Sequence, residues 1–150
     1  MISFIALLLD IVFGIYIQTA FMIILLIIMG RNLKMKPKKF YILSFLLGLF
    51  YDCIFTSVLF LNATLFLIIA NISIFYKKIN FFIFSFLILF LYKTSIYIIF
   101  YVLGKINFDI NIYLSGIFKF MLSNILIVLI SYFIKKRIYI NRWKYEWRII

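Results

Sequence analysis

Two opposite charges interrupt what are otherwise apolar runs of membrane-spanning length. Asp52 lies within the run Phe40 to Leu61, and Lys93 lies within the run Phe81 to Leu103. Inside hydrocarbon every backbone polar group must be satisfied by the protein itself, so runs of this length are read as helices. An ionisable side chain within such a helix is expensive and marks a packing or functional site. At about 1.5 Å of rise per residue, each of the two lies about 18 Å from the start of its run. The pattern therefore predicts that Asp52 and Lys93 sit at matching depth and pair as a polar lock between helices, since either charge alone in a low-dielectric bundle is costly. The alternatives are a substrate or ion site at the midplane, or a Lys93 that snorkels or faces a partner protein's helix.

Composition supports the membrane reading. The chain is 68% hydrophobic with a mean hydropathy of +1.23, against about 45–50% apolar in soluble domains. The net charge of +12 does not point to nucleic acid. The basic residues cluster just beyond apolar runs, where membrane topology accounts for them. Met1-Ile2-Ser3 carries no basic group and no A-x-A site follows, so the first helix is expected to be retained rather than cleaved. Cys53 is the single cysteine, so no internal disulfide is possible. The chain has no histidine, which excludes H-E-x-x-H zinc proteases, Ser-His-Asp triads and Cys-His pairs. No phosphate-binding loop is present. The paired carboxylates of an aspartyl protease are also missing: Tyr51-Asp52 has no second G-x-G-D motif to work with. No catalytic, metal or cofactor site is expected.

Five apolar segments follow one another. Ile2 to Gly30 is too long for one upright helix, and Gly14 is the natural place for a break. Two short helices, about Ile2–Val12 and Ile15–Met29, are expected. Phe40 to Phe60 and Asn62 to Tyr76 form a helical hairpin, followed by Phe81 to Leu103 and Ile112 to Ile134. The expectation is an all-α polytopic integral membrane helix bundle over residues 1–134, with about six transmembrane helices, or five if the first segment is one tilted helix. The basic stretches 31–39, 77–78 and 135–148 fall on one side, and the positive-inside rule makes that side, with the C-terminus, cytoplasmic.

Other polar groups invite the same depth argument. Asp10, Gln18, Asn71 and Asn124 are candidates for a midplane polar layer in which amides bond across helices. Lys119 reads as an anchor whose stem carries its charge to the interface. Gly48 shares a helix face with Asp52 and suits a close helix crossing. Residues 135–150 form a basic tail. Trp143, Trp147 and Ile150 make one helical stripe, while Lys135, Lys136, Arg137, Arg142, Lys144 and Arg148 supply charge. This is the pattern of an amphipathic helix on anionic lipids of the inner leaflet.

The stretch from Leu43 to Ala63 resembles the signature of the rod shape-determining protein MreD family. That signature is a Gly-x-x-x-Asp helix, a small polar spacer, and a turn into the next helix at an Asn/His-Ala pair. Gly48, Asp52, Ser57, Asn62 and Ala63 match it, while Phe60 replaces the glycine usual in the turn. The resemblance implies a non-enzymatic scaffold in the bacterial plasma membrane. It would work with MreC, cytoplasmic MreB filaments, and a RodA-type polymerase with its transpeptidase. In that setting Gly48 and Asp52 build the motif hairpin with Asn62 and Ala63, and Lys93 braces it. The architecture is also similar to the substrate-binding S-components of energy-coupling-factor vitamin transporters, which are the alternative. Those commonly carry an Ala-x-x-x-Ala docking surface on the first helix, whereas here Ala6 and Ala20 lie far apart.

Overall fold

The computed structural model describes residues 5, 8–12, 20–32, 36–56, 58–76 and 78–146, with side chains as far as residue 133. All regular structure among them is helical. A leading helical stretch covers residues 8–12. Five helices follow: α1 Phe21–Arg31, α2 Pro37–Phe55, α3 Leu61–Phe75, α4 Phe81–Val102 and α5 Ile110–Glu146. Short connectors join α2 to α3 and α4 to α5 as neighbouring helical hairpins.

The helix starts follow from local chemistry. Pro37 opens α2, where its missing N–H costs nothing and its fixed φ suits the first turn. Asn80 caps α4, its side chain accepting from the Phe82 amide at 2.9 Å. Asp109 caps α5, accepting from the Asn111 amide at 2.8 Å. The starts of α1 and α3 have no side-chain cap from their own N-cap residues, Ala20 and Phe60. Both are closed from elsewhere in the fold.

α2 and α3 form the most intimate pair, α1 lies against α3, and α4 pairs with α5. α1 also touches both α4 and α5, which makes it the seam between the two halves. Its residues Met22, Ile23, Ile24, Leu26, Ile27 and Gly30 are all buried, as expected of a helix that is apolar all round. Phe40, Phe66, Phe84, Leu89 and Val128 complete the core around it.

The outer faces are apolar too. Ile42, Leu46 and Phe50 on α2, Ile83, Leu87 and Ile98 on α4, and Leu122, Leu126 and Ile130 on α5 are all exposed. Two helical stretches, Phe81–Val102 and Ile110–Phe133, are long and apolar enough to cross a membrane. An apolar exterior of this extent is a surface for lipid or protein rather than water.

Three boundaries differ from expectation. Ala20 is not helical, with φ −132° and ψ 46°, so the helix expected over Ile15–Met29 is not continuous: α1 spans Phe21–Arg31, 11 residues, and residues 15–19 lie outside the described residues. α2 begins at Pro37 and ends at Phe55, five residues before the expected turn. The last helix does not stop near Ile134. It runs unbroken to Glu146, so the basic tail is a continuation of α5 and not a separate helix. The side chains of Lys135, Lys136, Arg137, Arg142, Trp143 and Lys144, like Trp147 and Arg148 as a whole, lie outside the described residues.

Candidate functional site

The site is built by the turn between α2 and α3. Thr56 leaves α2 in an extended conformation, and Phe60 enters α3 with φ 67° and ψ 0°. That left-handed conformation is unusual for a bulky residue, and it turns the chain sharply. The start of α3 is thereby folded back beside the last turn of α2, where Asp52 sits.

A helix start exposes unsatisfied N–H groups and the positive end of the dipole. In apolar surroundings those donors need an acceptor, and Asp52 supplies it. Its Oδ1 accepts from the Asn62 amide at 2.8 Å, from Asn62 Nδ2 at 2.9 Å and from Thr56 Oγ1 at 2.9 Å. Its Oδ2 accepts from the Ala63 amide at 3.2 Å. The carboxylate is wholly buried. Bonds from amides to an ionised acceptor are of the stronger kind, and here they bind one helix to the next.

Gly48 makes this reach possible. A Cβ at position 48 would stand 2.4 Å from Ala63 Cα, and 2.7 Å from both Ala63 N and Asn62 O. The backbone of α2 thus rests on the first turn of α3 with no room for a methyl group. One turn separates Gly48 from Asp52, so the close approach and the capping carboxylate share one face. Asn62 extends the connection to α4, because Tyr92 Oη donates to Asn62 Oδ1 at 2.6 Å. The rings of Tyr51, Phe66 and Tyr92 then pack in succession beneath the polar cluster, with centroids 5.4 and 6.4 Å apart.

The expected pair of Asp52 with Lys93 does not form. The Asp52 oxygens are taken by Thr56, Asn62 and Ala63, while Lys93 Nζ lies over the Phe120 ring, 5.3 Å from its centroid. Position along two helices says nothing of which face each side chain occupies. Lys93 therefore contacts α5 and does not pair with Asp52.

Asp10 repeats the Asp52 arrangement. Its Oδ1 accepts from the Phe21 amide and its Oδ2 from the Met22 amide, both at 2.8 Å, and it too is wholly buried. Asn124 adds a third acceptor there, its Oδ1 taking the Ala20 amide at 2.9 Å. Asn124 lies about 21 Å into α5, so α1 starts partway along α5 and not at its end. Of the expected polar layer, Asp10 and Asn124 come together at this point. Asn71 does not join them: it is exposed and accepts from Tyr41 Oη at 3.0 Å. Gln18 lies outside the described residues.

No family model, curated protein or solved structure matches this chain.

Sequence reasoning missed Tyr92, Thr56 and the recurrence of one device at two helix starts. A signal was present. Asp10 precedes Phe21 by 11 residues and Asp52 precedes Asn62 by 10, an aspartate at nearly the same spacing before each of two helix starts. Chemically, the Asp52 site satisfies donors and fixes geometry. Each of its carboxylate oxygens is engaged by a helix start or a hydroxyl, which suits a joint between helices.

Proposed function

We propose that this chain is a non-enzymatic, multi-pass scaffold subunit of the bacterial cell-shape and peptidoglycan elongation complex, of the MreD type. In this reading it lies in the plasma membrane with six spans, the first pair short, and with its basic loops and C-terminus in the cytoplasm. It links MreC and MreB filaments to a RodA-type polymerase and its transpeptidase. The basic end of α5 lies at the anionic inner leaflet.

One observation carries the reading. Four of the five residues that match the family signature, separated by up to 15 positions in sequence, converge on a single joint: Gly48 lies against Asn62 and Ala63, and Asp52 closes the helix that those two begin, while Ser57 lies outside the described residues. The turn adds to it. Phe60, at the position where the family usually has glycine, holds the left-handed conformation that glycine adopts most readily. A scaffold with small loops must present its partners with lateral helix surfaces, and these need fixed relative positions. A hairpin closed at its turn by a buried carboxylate provides that.

The test is co-purification of the tagged full chain from membranes co-expressing the MreC-type and RodA-type proteins of the same genome. The expected result is a complex of fixed stoichiometry containing the MreC-type protein. Recovery instead with an ATPase-linked transmembrane subunit and a bound vitamin would replace this reading with the transporter S-component.

A further inference from the structure

Lys119 lies on the outward face of α5, within the stretch Ile110–Phe133 that is long and apolar enough to span a membrane. It is nine residues from the start of α5, about 14 Å along the axis. Its backbone neighbours on the same face are small. Ser115 and Gly116 lie one turn before it and Ser123 one turn after. A Cβ built at Gly116 meets nothing within 4 Å, so no described part of this chain covers that turn. Beyond it the face continues through exposed Leu122, Leu126 and Ile130.

The chain has no carboxylate to spare for this cation. It contains four acidic residues in all. Asp10 and Asp52 hold the starts of α1 and α3. Asp109 caps α5 itself, about 15 Å away along the helix. Glu146 lies 27 positions further on, about 40 Å away. A lysine facing hydrocarbon at this depth is unfavourable unless something complements it.

We propose that this face of α5 docks a membrane-spanning helix of a partner protein, and that an aspartate or glutamate of that helix pairs with Lys119. The open turn at Gly116 and the small side chains of Ser115 and Ser123 let the partner's backbone approach closely, as small residues do between membrane helices. Charge complementarity excludes a second copy of the same face, which would bring two lysines together. The inference rests on the multi-pass membrane reading, and not on which complex the chain serves.

The experiment uses a photo-crosslinking residue at Leu122 in the full chain, in cells of the native host, with adducts identified by mass spectrometry. The expected adduct is a membrane-spanning segment carrying an acidic residue. Its yield falls at least fivefold with Lys119→Ala and with Lys119→Glu, and persists with Lys119→Arg. Lys119→Glu combined with the partner's carboxylate changed to lysine restores it. Because Lys119 is exposed, each variant keeps the thermal stability of the parent chain, and this is measured alongside. Adducts to lipid alone would overturn the proposal and leave Lys119 as an interfacial anchor. An adduct helix without a carboxylate, or a yield indifferent to Lys119, would overturn it equally. Whether the captured partner belongs to the elongation machinery bears on the proposed function separately.

Discussion

Gly48→Ala is the sharpest perturbation of the α2–α3 joint. The added methyl would meet three backbone atoms of α3, at 2.4, 2.7 and 2.7 Å. Ordinary contact needs roughly 3.5–4 Å, so the helices must part by about 1 Å. No side chain can swing aside, because every clashing atom is main chain. Overpacking of this kind costs about 1–3 kcal/mol. The separation also stretches the bond from the Ala63 amide to Asp52, already 3.2 Å long, past useful range. Losing a hydrogen bond to a charged group adds about 1.5–3 kcal/mol. The expected total is about 2.5–6 kcal/mol, measured as reversible unfolding of the purified chain in mixed micelles against the parent. A change within about 0.5 kcal/mol would show that the two helices do not touch there. The control is Gly116→Ala, which meets nothing within 4 Å and should match the parent or gain slightly in stability from better helix propensity.

The other expectations follow from the same contacts. Asp52→Asn should destabilise by about 2–4 kcal/mol, because an amide gives up the charge that strengthens these bonds. Exchanging the two charges, Asp52→Lys with Lys93→Asp, should not restore folding; recovery above the single variants would reinstate a direct pair. Tyr92→Phe leaves Asn62 Oδ1 without its donor and should cost about 1–2 kcal/mol in the same unfolding assay. Phe60→Gly should stay within about 1 kcal/mol of the parent. Relief of left-handed strain, about 1–2 kcal/mol, offsets loss of the stacking with Phe45, whose ring centroid is 6.4 Å away. A loss beyond about 2 kcal/mol would show that the turn depends on the ring.

Hydropathy made the helical class legible, because long apolar runs leave the backbone few alternatives. The importance of Asp52 and Gly48 was legible for a related reason: a charge and a glycine in such a run have few cheap explanations. The partner of Asp52 was not. Treating helices as parallel rods paired Asp52 with Lys93 by height, yet Asp52 lies three residues from the end of α2. There the nearest unsatisfied donors belong to the next helix start, and they are main-chain amides that a search among side chains passes over. Asn71 failed in a similar way, since height along α3 does not reveal that it faces Tyr41 near the start of α2. Asp10 was singled out, but its role required knowing that a helix starts at Phe21. That boundary carries no glycine, proline or N-cap serine to announce it.

The joint is tested most directly by amide hydrogen exchange of the full chain in lipid bicelles, followed at Asn62 and Ala63. Donation to a buried carboxylate predicts that these two amides, although first in their helix, exchange as slowly as the interior of α3, and at least about a hundredfold faster in Asp52→Asn, the equivalent of roughly 2.7 kcal/mol. Exchange at the rate of a frayed helix end in the parent chain, unchanged by the substitution, would contradict it.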